Sequence, residues 1–192
     1  IKGTVELIER MLDTSKSGPT VLQALEGKLP ANVVAGFGQL LQTPHSPSVL
    51  AGVINEVFCQ SKSFLRMTAT VMNLDLTTGQ LRYTIAGAPR PLWLKRSAKA
   101  PGFEVGALAS APSSILGQDR SARFADQKVD LQPGEAVLLY SDGVTEAESP
   151  AGQQYGNRRL AQALGKLAAG GTAPDTTALR DAIVSEVFKF TA

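Results

Sequence analysis

The sequence predicts an α+β domain built in layers, with helices first, antiparallel strands next and helices again at the end. Three observations predict it. The pairs Val49/Leu50, Val53/Ile54 and Val57/Phe58 recur every four residues, which is helical spacing. The spacing then changes to alternation, with Leu81, Tyr83 and Ile85 separated by Arg82 and Thr84, so one face of a strand is buried. Helical spacing returns with Leu160, Ala163, Leu164 and Leu167.

In chain order, Val5, Ile8, Met11 and Leu12 share a helical face until Ser17-Gly18-Pro19 breaks it, and Pro19 can open a short helix carrying Val21, Leu22 and Leu25. Gly27, Pro30, Gly36 and Gly38 weaken any assignment up to residue 42. Ser46-Pro47 is a helix start, with Ser46 as N-cap and Pro47 at the first helical position. From Met67 to Leu74 the chain is rich in β-branched residues. Asp75-Leu76-Thr77-Thr78-Gly79 is a turn with glycine available for positive φ, and Leu81 to Ile85 completes a β-hairpin. Ala86-Gly87-Ala88-Pro89 interrupts, and Leu92-Trp93-Leu94 resumes a strand. Residues 97–121, rich in Ala, Gly, Ser and Pro, read as a long loop, and Phe124 to Leu131 as a further strand. Gln132-Pro133-Gly134 is a tight turn. The unbroken apolar run Ala136-Val137-Leu138-Leu139-Tyr140 predicts a strand buried on both faces. Two helices close the chain: one ends at Gly170-Gly171, and the other carries Leu179, Ile183, Val187 and Phe190 behind Asp175 as N-cap.

Composition narrows the chemistry. The 192 residues suit a single domain spanning 1–192, and 43% hydrophobic against 19% charged residues supply a core. A formal charge of +2 is too even to imply a nucleic-acid or membrane partner. No apolar run approaches the ~18 residues of a membrane span. One cysteine, Cys59, excludes an internal disulfide framework, and one histidine, His45, excludes a site needing two imidazoles from this chain. Carboxylates and hydroxyls remain. The chain starts inside an apolar-periodic segment with no initiator Met and stops just after a helical pattern, which reads as a fragment of a longer protein.

Asp142 is the most informative position. It leaves the apolar run in Tyr140-Ser141-Asp142-Gly143-Val144-Thr145-Glu146, and a carboxylate at the end of a buried strand is costly to desolvate without a partner. A divalent cation is one such partner, because hard cations take oxygen ligands; the alternative is that Asp142 caps the following turn. Gly143 lets the backbone turn sharply and a ligand approach closely. Glu146 and Glu148 either extend an acidic site or belong to a solvated loop. His45, between Pro44 and Pro47, reads as a loop residue, Cys59 as a buried small hydrophobe, and Trp93 as core. Arg90, Lys95, Arg96 and Lys99 form a modest basic cluster that either faces a phosphorylated partner or is a solvated edge, and Arg158-Arg159 lies on the polar side of its helix.

The order of motifs resembles one family. Met67-Thr68-Ala69-Thr70-Val71-Met72-Asn73-Leu74 through Tyr83 looks like the central hairpin of the SpoIIE/RsbU-type bacterial serine/threonine phosphatases, within the metal-dependent PP2C-like (PPM) group. Ala86-Gly87-Ala88-Pro89-Arg90-Pro91-Leu92 is similar to that family's Ala-Gly-His-x-Pro-Pro-Leu turn, and Ile115-Leu116-Gly117 to its Pro-Leu-Gly segment. Leu131-Gln132-Pro133-Gly134-Glu135 and Leu138-Leu139-Tyr140-Ser141-Asp142-Gly143-Val144-Thr145-Glu146-Ala147 resemble its Leu-x-Pro-Gly-Asp and Leu-Tyr-Thr-Asp-Gly-Val-Thr-Glu-Ala elements. Gln154-Tyr155-Gly156-Asn157-Arg158-Arg159-Leu160 resembles its Phe-Gly-x-x-Arg-Leu helix start. The likeness covers roughly residues 46–190.

The resemblance implies a PP2C-like antiparallel β-sandwich flanked by helices. It implies a two-metal Mg²⁺ or Mn²⁺ centre that activates water against phosphoserine or phosphothreonine, with Asp142 as a metal ligand and Gly143 as the accompanying turn residue. It implies a phosphorylated STAS-type anti-anti-sigma protein as substrate in a partner-switching pathway, control by an upstream sensor domain, and a cytoplasmic location, alone or as part of a membrane-anchored sensor. An apolar early helix is compatible with a homodimer. The sequence also departs from the family. Its first metal motifs (an early Gly-Asp, then Gly-Asp-Val-x-Gly-His-Gly) and its last, Asp-Asp-x-Thr, do not occur here, and Ala88 replaces the usual His. Ile1-Lys2-Gly3-Thr4-Val5 is similar to the helix that follows those first motifs. One carboxylate cannot hold two metals, so the alternative expectation is a non-catalytic PP2C-like module that binds a phosphoprotein or partner domain.

Overall fold

The computed structural model describes residues 46–60, 65–98, 102–169 and 175–192, and positions 31, 34, 35 and 38. The helices expected near residues 5–12 and 19–25, His45, Lys99 and Gly170-Gly171 lie outside the described residues.

Helix α1 spans Pro47–Gln60, as the Ser46-Pro47 start predicts. Val49 N–H donates to Ser46 Oγ at 3.4 Å, while Ser48 N–H donates to Asp126 Oδ1 at 2.7 Å. The helix end is therefore capped locally and also by a carboxylate from 78 residues away. Its deepest residues are Ala51 and Asn55, with Val53 beside them. The helix thus meets its neighbour along a small-residue line and not along the predicted aliphatic pairs alone.

The hairpin is as expected: β1 (Ala69–Leu74) pairs antiparallel with β2 (Gln80–Ala86) through a turn in which Gly79 takes φ +74°. A side chain at Gly79 would run into the Leu131 carbonyl, so glycine is required there on two counts. Strands β3 (Leu92–Arg96), β4 (Phe103–Ala107), β5 (Gln127–Asp130) and β6 (Ala136–Leu138) follow. They form two three-stranded antiparallel sheets, β1-β2-β5 and β4-β3-β6. The segment read as a long loop therefore contains a strand, β4, where Phe103 and Val105 alternate with Glu104 and Gly106. The strand expected over 124–131 is shorter than predicted.

Helices α2 (Asp142–Thr145), α3 (Gly156–Leu167) and α4 (Thr176–Thr191) complete the described chain. Asp175 caps α4 as predicted, its side chain accepting from Thr177 N–H at 2.9 Å.

Strand alternation sorts the core into three layers. Ala86 faces α1 with Ala51 and Leu116. Leu81, Tyr83 and Ile85 face the other sheet, where Leu108, Trp93 and Val137 meet them. Leu92 and Leu94 point away from that interior, onto Leu160, Leu164, Leu179 and Ile183 of the closing helices. The order is helix, sheet, sheet, helices: a β-sandwich flanked on both faces, as expected. Each fully buried Leu or Ile contributes about 1.5–3 kcal/mol of burial free energy. A further misreading concerns β6. Ala136, Val137 and Leu138 are half-buried and Leu139 is 54% exposed. Val137 turns to the inter-sheet layer and Ala136 and Leu138 to the closing helices, so both faces of β6 are packed, but each is only partly buried, and among the described residues β6 is an outer strand paired with β3 alone.

Candidate functional site

One end of the sandwich collects the chemistry. There β2 leaves its sheet, and residues 87–91 carry the chain across to β3 in the other. Gly87 adopts φ +66° in this crossover, and a Cβ there would come within 2.6 Å of the Ile115 side chain. Strand β6 runs antiparallel to β3, with Leu138 opposite Leu92. It therefore delivers Tyr140, Ser141 and Asp142 to the same end.

Asp142 is the first residue of α2 and is exposed. The expectation of a desolvated carboxylate is corrected here: the strand before it ends at Leu138 and is only half-buried, so the chain is already in solvent by Asp142. Nor does the carboxylate cap the turn. The N-cap is Ser141, with no side-chain hydrogen bond, and it is the Asp142 main-chain carbonyl that accepts from Glu146 N–H at 2.8 Å and Thr145 Oγ1 at 3.2 Å. The Asp142 carboxylate makes no hydrogen bond or ion pair with a described residue. Gly143 lies within this helical turn without a left-handed φ, and a Cβ would meet Ser141 Oγ at an ordinary 3.7 Å. A sharp bend is therefore not what glycine supplies here.

Beside this carboxylate stand two tyrosines that the sequence did not single out as site residues, and Arg90 of the expected basic cluster. Tyr140 Oη donates to Asn157 Oδ1 at 3.0 Å, tying β6's exit to the first turn of α3. Burial pushes the Tyr140 hydroxyl up, the Arg90 charge pulls it back, and the Asp142 charge adds to the rise. Arg90 donates through Nε to the Leu108 carbonyl at 2.9 Å. Tyr83, beneath, is 1% exposed and donates to the Ala109 carbonyl at 3.0 Å; burial raises its hydroxyl, and Arg90 and that hydrogen bond lower it. Arg90 thus faces both tyrosines from the crossover.

The remaining candidates do not converge on this end. Glu146 and Glu148 are exposed in a loop, matching the solvated reading. Cys59 is half-buried on α1, its thiol raised chiefly by burial and then by Glu56. Trp93 packs in the inter-sheet layer and donates through Nε1 to Glu135 at 3.2 Å. Lys95 lies over the Trp93 ring and Arg96 over Phe103, so two members of the basic cluster are occupied with aromatic faces. Arg159 sits over Phe190 at 4.8 Å. Among the described residues no group of three or more His, Cys, Asp or Glu side chains is arranged to hold a metal ion. Asp142 is one hard oxygen ligand without companions, so these residues by themselves do not fit a two-metal centre.

Comparison with known proteins places this geometry. The family model described as Stage II sporulation protein E (SpoIIE) matches residues 29–191. Among solved structures, the SiaA-PP2C domain of Pseudomonas aeruginosa superposes with a TM-score of 0.64 at 19% identity, over 83% of this chain and 61% of that one. The RsbU and RsbW domains of Rv1364c from Mycobacterium tuberculosis give 0.63 at 18% identity, over 84% of this chain and 42% of that one. A phosphatase domain with a regulatory fragment of SpoIIE from Bacillus subtilis gives 0.56 at 14% identity, over 83% of this chain and 44% of that one. Protein IcfG of Synechocystis sp. is 30% identical over 91 residues, which is 47% of this chain and 13% of that protein. The chain therefore spans a small part of its curated relative and less than two thirds of these solved chains.

Proposed function

The chain belongs to the SpoIIE family and has the PP2C-like fold, and from that premise we propose that it is a metal-dependent phosphoserine/phosphothreonine protein phosphatase domain. We take residues 1–192 as parts of one domain. The observation that carries the reading is the Asp142 carboxylate. It projects from the end of the sandwich, serves no cap and no ion pair among the described residues, and occupies the Asp-Gly step of the family's most recognisable segment. A carboxylate left free at that step is available to a hard cation as an oxygen ligand.

Asp142 would then be one oxygen ligand for Mg²⁺ or Mn²⁺, and a full set for two metals is not among the described residues. When bound, such metals would supply a water nucleophile at neutral pH and neutralise phosphoryl charge. The chain's own part is to hold that carboxylate on the first turn of α2, with β6 and the Tyr140–Asn157 hydrogen bond fixing the approach. The substrate that fits this family reading is a phosphorylated STAS-type protein of a partner-switching pathway, with an upstream sensor domain as the source of control and a homodimer as the assembly. No helix among the described residues is long and apolar enough to cross a membrane. We place the domain in the cytoplasm, alone or attached to a membrane-anchored sensor. A second reading, a phosphoprotein-binding module without turnover, is favoured by the lack of a carboxylate cluster among the described residues.

The experiment is Mn²⁺-dependent hydrolysis of a phosphoserine substrate by the full-length protein. Asp142→Asn should lower kcat/KM by two or more orders of magnitude, the scale of several kcal/mol of transition-state stabilisation. Its melting midpoint should stay within about 2 °C, because surface changes away from structural contacts cost under ~0.5 kcal/mol. Undiminished hydrolysis in that variant removes Asp142 from the site. Phosphoprotein binding without any metal-dependent turnover in the wild type establishes the second reading.

A further inference from the structure

Arg90 is held in a set orientation at the end of the sandwich that carries Asp142. It sits in the crossover between the sheets, two residues before Leu92. The β3–β6 register sets Leu92 opposite Leu138, and continuing it by two residues sets Arg90 opposite Tyr140, with Asp142 two residues further on. The β3–β4 ladder also continues past its last strand pair, since Leu108 N–H donates to the Pro91 carbonyl at 2.9 Å. The backbone that carries Arg90 is therefore held on one side by the 108–109 segment, as its head is by the Nε bond to the Leu108 carbonyl at 2.9 Å. That bond uses Nε alone. The two terminal guanidinium nitrogens make no hydrogen bond or ion pair with a described residue, and Arg90 is exposed. Arg96 is also held through Nε, by the Pro133 carbonyl at 3.1 Å, but at the opposite end of β3 and over the Phe103 ring; Lys95 and Arg159 likewise lie over aromatic rings, and Arg82 and Arg120 are paired with Asp126 and Glu56.

A guanidinium fixed through Nε presents a flat pair of N–H donors in a set direction, which is the geometry that binds two oxygens of one phosphoryl group. Asp142 is an exposed carboxylate at this end of the sandwich, and a bare carboxylate repels an incoming phosphate unless positive charge stands beside it. We propose that Arg90 is the phosphoryl-binding residue of this site, gripping two non-bridging oxygens of the phosphoserine or phosphothreonine substrate and of the phosphate product. The proposal rests on the phosphatase reading above and deepens it, by assigning an anion-binding residue to the end of the sandwich that carries Asp142. The step it governs is binding alone, so no bond is made or broken at Arg90.

The test uses the full-length protein with Mn²⁺ and two probes: a phosphoserine peptide for turnover, and inorganic phosphate for inhibition and for calorimetric binding without turnover. In Arg90→Ala, KM for the peptide, the inhibition constant of phosphate and its calorimetric Kd should all rise on the order of 10- to 100-fold, the worth of a charge-assisted hydrogen-bond pair. The kcat should change by less than about threefold, because the interaction is made equally in ground and transition states. Arg90→Lys should recover part of the loss. Arg90→Gln keeps a neutral donor for the Leu108 carbonyl and loses the charge, so a purely structural role would leave its phosphate affinity at the wild-type value and overturn the proposal. Metal-dependent turnover with phosphate affinity unchanged in Arg90→Ala also overturns it while the phosphatase reading stands. Phosphate binding lost with Arg90 in a protein that shows no turnover upholds Arg90 and sinks catalysis. A wild type that neither hydrolyses the peptide nor binds phosphate sinks both.

Discussion

Removing the Asp126 carboxylate should loosen α1 from the first sheet. Asp126 accepts Ser48 N–H at 2.7 Å, Ser46 Oγ–H at 3.0 Å and Arg82 Nη2–H at 2.7 Å. The first is a helix-capping contact, which is worth about 1 kcal/mol. The hydroxyl contact adds about 1 kcal/mol. The Arg82 pair, with side chains 38% and 23% exposed, is screened and adds only about 0.5 kcal/mol. Asp126→Ala should therefore cost about 2.5 kcal/mol, or roughly 5–10 °C of melting midpoint for a chain of this size. Asp126→Asn, which keeps an acceptor for Ser48 N–H and loses the charge, should cost about 1 kcal/mol.

Burial works to raise the Asp126 carboxyl, but the hydrogen bonds from Ser48, Ser46 and Arg82 outweigh it, and the net shift is below the usual value. A depressed folded value means the contribution is complete above the unfolded pKa of about 3.9 and is lost as pH falls through the folded one. In urea titrations the gap between wild type and Asp126→Ala should be flat from about pH 5 to 8 and close below about pH 4. A gap under about 0.5 kcal/mol at pH 7, or one that widens in acid, refutes the reasoning.

Two further substitutions probe the same face. Asn55 is 2% exposed and satisfies the Asp119 carbonyl at 3.0 Å and Gly117 N–H at 2.8 Å, so Asn55→Ala, which strands two backbone groups, should cost about 3 kcal/mol in urea unfolding and lose exchange protection at the Gly117 amide. Gly117 holds φ +80°, and a Cβ there would strike the Leu65 carbonyl and come within 2.9 Å of Phe58 Cβ; Gly117→Ala should lower stability by about 3 kcal/mol, measured by thermal melting.

The hairpin, the Ser46-Pro47 start of α1, the Asp175 cap and the two closing helices were legible because each is fixed by neighbours in the sequence: turn glycines, capping oxygens and apolar spacing. Strand β4 was hidden because its alternation is weak. Phe103 and Val105 are the only bulky apolar residues between Glu104, Gly106 and small residues, and the strand exists because β3 offers it a ladder. The burial of β6 was overestimated for the converse reason: an apolar run reports the capacity for burial on two faces, and the described sheet covers only part of it. Asp142 was found through its motif, yet the argument for it changes: the side chain is informative because it is exposed and idle, not because it is buried. Arg90 was visible only as one of several basic residues. Its distinction depends on the β3–β6 register and the Leu108 carbonyl, which no local spacing encodes. Asp126 lies 78 residues from the amide it caps, and so carries no signal along the chain.

The β3–β6 pairing has a consequence for the chemistry at its end. Arg90 leads into β3 and Asp142 leads out of β6, and the two strands are hydrogen-bonded neighbours in one sheet, with Leu92 opposite Leu138. The separation of the cationic and anionic groups is thereby set along a single ladder and not by the spacing between the two slabs. Because packed interiors transmit strain and do not absorb it, any force that slips β6 along β3 registers as a change of aperture between those two charges.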